Sequence, residues 1–298
     1  MFMFRSTFIM EGLKWLTFVL VSAVLYWNLS TTFPFFGTGE AGMRPLESFN
    51  GFIGQTKAVE SIMIELCGSA KAGKVPEGFL LTGNPGLGKT EMAKAIAIQN
   101  KTAFHTVRFV TRTEIAKVLS KVEKGDIVFV DEGHRVRHEF YELLFPCIER
   151  KGLTLSDILG KEKEIEGIDS KKQIQDFIFI IATDQPGSLP NALKTRLKDH
   201  ILDFYSEREL RTIISNWFDS ENKKVPMDES GMPKKEALVE FTPHVLTVIA
   251  RTGKGNPRQA LRHAKTVRHA ALAAGMNSIN APFCKSCLKK NDISKNRP

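Results

Sequence analysis

The stretch GNPGLGKT, Gly83 to Thr90, spaces glycines, a lysine and a hydroxyl as a loop must to hold phosphate groups. Gly83, Gly86 and Gly88 let backbone N–H groups approach an anion more closely than side chains can, with Pro85 and Leu87 completing the loop between them. Lys89 then reaches the outer phosphates, and the Thr90 hydroxyl oxygen suits Mg²⁺. The chemistry on offer is binding and cleavage of a nucleoside triphosphate. Such a loop pattern also occurs by chance, so its neighbours decide. The apolar run IVFVD (127–131) ends in Asp131 and is followed by Glu132. Asp131 would hold Mg²⁺ through water while Glu132 polarises the attacking water. The plainer alternative is an acidic pair capping the next helix. Thr183 ends the run FIFIIAT (177–183), where it could feel a γ-phosphate, and Arg196 sits on the helix that follows.

These residues need a scaffold that brings several chain segments to one edge. FLLTG (79–83) is a short apolar run ending in glycine, and Lys89 through Gln99 has the Ala, Met and Ile spacing of a helix. The loop therefore lies between a strand and a helix N-terminus, whose unpaired N–H groups and dipole favour an anion. FHTVRF (104–109), IVFVD and FIFIIAT are apolar enough for buried strands, and helical stretches separate them. That pattern predicts an α/β fold with a parallel sheet covered on both faces. Further on, Asn256 and Pro257 open a helix over 257–274, with Ala260, Leu261, Ala264, Val267 and Ala271 on one face and Arg258, Arg262, Lys265 and His269 on another.

At 298 residues, with 42% hydrophobic content, the chain has room for one large domain and a smaller one. Four cysteines (Cys67, Cys147, Cys284 and Cys287) are too few and too scattered for a disulfide framework, and CKSC (284–287) offers half of a zinc site at most. The formal charge of +9 is unevenly spread: residues 251–298 carry eleven Lys/Arg against Asp292 alone, a net of +10, leaving about −1 for the rest. This excess reads either as a solvated helix face and tail or as a polyanion-binding surface. From Trp15 to Gly39 no residue is charged, and WLTFVLVSAVLYW (15–27) is nearly continuous apolar sequence. As a helix those residues rise about 20 Å, short of a hydrocarbon core of about 30 Å unless extended. The segment 1–43 thus reads as a membrane anchor over residues 13–36 with a cytoplasmic ATPase domain, as a helix docking a protein partner through residues 1–36, or as a start assigned upstream of Met43.

From Arg44 to about Asp292 the chain resembles the AAA+ ATPases, and among them the RuvB branch, whose members drive Holliday-junction branch migration. The resemblance rests on RPLESFNGFIGQ (44–55), GNPGLGKT (83–90), GDIVFVDEGHR (125–135), ELLFPCIE (142–149), IIATDQPGSLPNALKTRLKD (180–199) and RTGKGNPRQALR (251–262). It implies a nucleotide-binding domain over 44–205, a helical lid with a basic tail over 206–298, ATP and Mg²⁺ as cofactors, and a ring-forming homo-oligomer, a hexamer in the family, acting on DNA. By position, Lys89 and Thr90 bind phosphate and Mg²⁺, and Asp131 and Glu132 are the acidic pair. Thr183 is the first sensor, Arg196 the arginine finger reaching a neighbour's nucleotide, and Arg258 the second sensor. Arg44, Ile53 and Tyr205 stand where the family packs against the nucleotide. Segment 151–176 falls where RuvB carries a partner-engaging hairpin, although its charge and poor strand pattern read equally as a solvated loop. Three departures are visible. Gly133 follows the catalytic acid where the family has an apolar residue, the segment 1–43 has no RuvB counterpart, and no room remains after Pro298 for RuvB's winged helix. Two other functions therefore stand beside the DNA motor: an ATP-driven remodeller of a protein partner at a membrane, and a slowly hydrolysing nucleotide-gated scaffold.

Overall fold

The computed structural model describes Phe49 and residues 52–107, 111–149, 152–160, 167–225 and 239–295, with side chains described to Lys289. The segment 1–43 and Arg44 lie outside the described residues, among which no helix is long and apolar enough to cross a membrane. A five-stranded parallel sheet organises the rest: β1 (Gly78–Thr82), β2 (Phe104–Thr106), β3 (Ile127–Val130), β4 (Ile178–Thr183) and β5 (Lys198–Ile201), in the order β2-β3-β4-β1-β5. The residues of β1, β3 and β4 are buried throughout. Alternate side chains serve two different cores. Phe79, Leu81, Ile127, Phe129, Ile178 and Ile180 join one apolar cluster, while Leu80, Val128, Val130, Phe179 and Ile181 join the other. Covering both faces is why these strands read as unbroken apolar runs.

Helices α1 (Thr56–Lys71) and α2 (Lys89–Asn100) cover the first face. On the second lie α3 (Arg112–Leu119), α4 (His138–Ile148), α5 (Leu155–Leu159) and α6 (Asn191–Lys194). Register then fixes the working edge. Thr82 pairs with Thr183 and Val130 with Ile181, so the phosphate loop, the acidic pair and the Thr183 strand end emerge side by side. A crevice at the carboxyl ends of parallel strands, where connections diverge to either side, is where such sheets bind ligands. Here β1 lies between β4 and β5, far from its sequence neighbour β2.

Within 151–176, the described residues 152–160 and 167–176 hold a short helix and a bridge. Thr154 and Asp157 form a capping box that starts α5, which buries Leu155, Ile158 and Leu159. Thr154 also bridges Gln173 in antiparallel fashion, flanked by Leu155 N–H to Lys172 O at 3.1 Å and Ile174 N–H to Leu153 O at 2.8 Å. Apolar positions at 155, 158 and 159 carried that helix signal, masked in sequence by the charges around them. Of the FHTVRF run, Phe104–Thr106 form β2.

Beyond Tyr205 come α7 (Glu207–Asn222), α8 (Pro243–Thr252), α9 (Pro257–Ala273) and α10 (Ala281–Lys295), with a two-stranded parallel pair of β6 (Glu240–Phe241) and β7 (Ser278–Ile279). Their apolar faces continue the cluster begun by α1 and α2. In α9, Ala260, Ala264, Val267 and Ala271 are buried and Leu261 half-buried, while Arg258, Arg262, Lys265 and His269 are exposed along one stripe. Cys284 and Cys287 lie on α10; Cys284 is buried, and burial pushes its thiol up to about 11.

Candidate active site

The loop after β1 passes too close to its neighbours for a side chain at Gly83 or Gly86. Gly86 has φ 87°, and a Cβ there would lie 2.7 Å from Asn256 Oδ1 and 2.8 Å from Arg258 Cβ. The lid thus rests on the loop itself: Asn256 Nδ2 donates to Pro85 O at 2.8 Å, and Arg258 N–H to Gly86 O at 3.4 Å. Asn256 also accepts from Gln259 N–H at 3.2 Å, capping α9, so one side chain starts the helix and ties it to the loop. The sequence identified this asparagine as a cap but not as a tie.

Lys89 is buried, and its Nζ donates to Gly83 O at 2.7 Å and Asn84 O at 3.2 Å. Burial lowers its pKa, opposed by the carboxylates of Asp184, Glu132 and Asp131. Thr90 Oγ1 donates to Asp131 Oδ2 at 3.2 Å, which sets a hydroxyl and a carboxylate oxygen together beside the loop. Hard oxygen donors of this kind fit Mg²⁺.

Glu132 has left-handed backbone (φ 52°, ψ 48°), a conformation that costs a non-glycine residue on the order of 1 kcal/mol. Its N–H donates to Asp131 Oδ1 at 3.0 Å, and the chain then enters a 3₁₀ turn over Gly133–Arg135. A Cβ on Gly133 would stand 2.5 Å from Ile181 Cγ2 and 3.1 Å from Tyr141 Oη, which donates to Gly133 O at 2.7 Å. Ile181 fills the space that a side chain at position 133 would need. Gly133→Ala is expected to lower thermal stability by about 1–3 kcal/mol through overpacking; an unchanged thermal midpoint would contradict the close approach.

Thr183 is buried, accepting at Oγ1 from Gln185 N–H at 3.0 Å and lying 3.1 Å from His134 Nδ1. Tyr205 is also buried; its Oη donates to Leu87 O at 3.1 Å, and its ring would be 2.8 Å from a Cβ on Gly54. The joint is completed by Gln55, whose side chain exchanges two hydrogen bonds with the Asp203 backbone, and half-buried Ile53 lies two residues before it. Arg196 stands apart from this constellation. Its Nε donates to Glu149 Oε1 at 2.7 Å, its Nη2 pairs with the same oxygen, its Nη1 donates to Ala192 O at 2.7 Å, and its guanidinium lies 5.1 Å from the Phe145 ring centre. Asp184 and Glu149 are the participants that residue spacing did not reveal.

Residues 43–201 match the family described as "Holliday junction DNA helicase RuvB P-loop domain". The chain is 31% identical over 262 residues to the Holliday junction branch migration complex subunit RuvB of Thermotoga petrophila, covering 87% of this chain and 72% of that one. For the same subunit of Nocardia farcinica the identity is 29%, with 86% and 67% covered. The structure of the Thermotoga maritima RuvB Holliday junction branch migration motor superposes with a TM-score of 0.63 at 28% identity, over 80% of this chain and 70% of that chain. On the family match and these likenesses together, the chain belongs to the RuvB family of P-loop AAA+ ATPases.

Proposed function

We propose that the chain is the ATP-hydrolysing subunit of an oligomeric DNA motor of the branch-migration type, in which turnover occurs at the edge formed by β1, β3 and β4. The observation that carries this reading is the oxygen pair Thr90 Oγ1 and Asp131 Oδ2, set between the phosphate loop and Glu132. Mg²⁺ held by these oxygens would neutralise phosphate charge. Lys89 leaves its loop carbonyls to meet the β- and γ-phosphates, exchanging neutral acceptors for anionic ones. Glu132 orients and polarises the attacking water, and Arg258 approaches from the lid, whose backbone already touches Gly86. Arg196, directed away from its own loop, acts on a neighbour's nucleotide in the ring. The two alternatives are not favoured, since the relatives are named as DNA branch-migration subunits and the acidic pair is intact.

DNA contact is assigned to the exposed Arg262, Lys265 and His269 on α9, beyond the nucleotide-facing Arg258. Charge of this kind acts on phosphates whatever the sequence, so binding is expected to be sequence-independent and driven by counterion release. Each neutralised phosphate contributes about 0.9 to the slope of log K against log salt. Arg262→Gln combined with Lys265→Gln should therefore flatten the slope by up to about 2 while leaving ATP affinity unchanged. A slope that does not move would remove α9 from the interface.

A further inference from the structure

His134 lies in the turn after β3 with its side chain 11% exposed, and the mechanism above gives it no task. Three side chains surround its ring: Nε2 is 3.4 Å from Glu132 Oε2, while Nδ1 is 3.1 Å from Thr183 Oγ1 and 3.3 Å from Asp184 Oδ1. Glu132 has need of a holder. Its side chain is 46% exposed; His134 lies within ion-pair distance of its carboxylate, and Lys89 acts on it through charge. A glutamate left to itself samples many rotamers, and ordering one costs up to about 2 kcal/mol of entropy. The imidazole has no such freedom, because buried Thr183 at the end of β4 and the tightly packed Gly133 turn fix it from both sides. Asp184 Oδ1 is buried, makes no hydrogen bond and lies 3.3 Å from the ring at Nδ1.

Glu132, His134 and Asp184 lie close enough together to suggest a metal triad. The short contacts argue otherwise. Glu132 meets Nε2 and Asp184 meets Nδ1, whereas one ion would take a lone pair from a single ring nitrogen. What remains is a carboxylate, a ring and a carboxylate in series, with a hydroxyl beside the second.

We propose that His134, carrying a proton on each ring nitrogen, is the positioning residue for Glu132: Nε2–H directs the Glu132 carboxylate, and Nδ1–H faces Thr183 Oγ1 and Asp184 Oδ1, which hold the ring from the other side. The inference rests on the reading of Glu132 as the group that activates water. It adds a consequence, because Thr183 is also the residue placed to sense the γ-phosphate. A change at its hydroxyl reaches the catalytic acid through one rigid ring.

The test is a double-mutant cycle on the full chain at saturating MgATP, with nucleotide affinity measured separately at equilibrium. His134→Phe keeps the ring and removes its nitrogens. It should lower kcat by about 10²-fold, the usual effect of a misplaced catalytic group, with ATP affinity unchanged. Asp184→Asn should lower kcat in the wild type and lose most of that effect in His134→Phe, the part transmitted through the ring, leaving only what its charge does at Lys89. Additive effects, or a wild-type kcat in His134→Phe, would overturn the proposal. If His134→Phe fails to fold, the cycle is run with His134→Asn, where additive effects would overturn it equally. Glu132→Gln separates the two levels: full activity in that variant sinks the reading of the site, whereas an inert Glu132→Gln beside a fully active His134→Phe sinks only the positioning role.

Discussion

Glu132→Gln should bind ATP as tightly as the wild type and hydrolyse it about 10²–10⁴-fold more slowly, the range that a positioned acid–base group supplies. That range corresponds to about 2.7–5.4 kcal/mol of barrier. The variant keeps the shape of the site and loses only the basicity that acts on water, so the loss should fall in kcat. Lys89→Ala should fail in the opposite way. Asp131, Glu132 and Asp184 all bear on the Lys89 ammonium, and without it a polyphosphate would face three carboxylates with its nearest cation gone. Equilibrium binding of a fluorescent ATP analogue distinguishes the two, and equal affinity in wild type and Lys89→Ala would refute the loop assignment.

Arg196→Ala should lower ATP hydrolysis by about 10³-fold or more while leaving nucleotide binding intact, as befits a finger supplied in trans. The Arg196–Glu149 pair is about 30% exposed on each side, so solvent screens part of it and a melting curve of Arg196→Ala separates any loss of stability from the loss of turnover. The same exposure lets a neighbour's γ-phosphate compete for the guanidinium through charge-assisted hydrogen bonds. Mixing Arg196→Ala with Lys89→Ala should restore part of the activity, because at mixed interfaces each subunit supplies what the other lacks. If mixtures stay inert, or if specific activity holds constant into dilutions where only monomer remains, Arg196 does not act across subunits.

Much of this site was legible because its residues announce themselves locally. The phosphate loop is contiguous, and Asp131, Glu132 and Thr183 each close an apolar run whose burial on both faces marks a central strand. Other parts had no such signal. Helix α1 begins after Gln55 in a left-handed conformation without a side-chain cap, so nothing in the sequence marks its start. Strand β5 carries Lys198 and Asp199 in an edge position with only His200 buried, and therefore lacks the apolar run of its neighbours. The Arg196–Glu149 pair spans 47 positions and the Asn256–Pro85 tie 171, separations that only the folded chain can close. Asp184 was hidden for a different reason. It adjoins Thr183 in sequence, yet its importance comes from a ring that the Gly133 turn brings to it.

That ATP turnover at this edge serves work on DNA is tested most directly by the steady-state ATPase rate of the full chain with and without branched DNA, at low salt and saturating MgATP. The expected result is Mg²⁺-dependent hydrolysis that branched DNA stimulates in the wild type and cannot restore in Glu132→Gln. Hydrolysis that is indifferent to branched DNA, or that survives undiminished in Glu132→Gln, would contradict it.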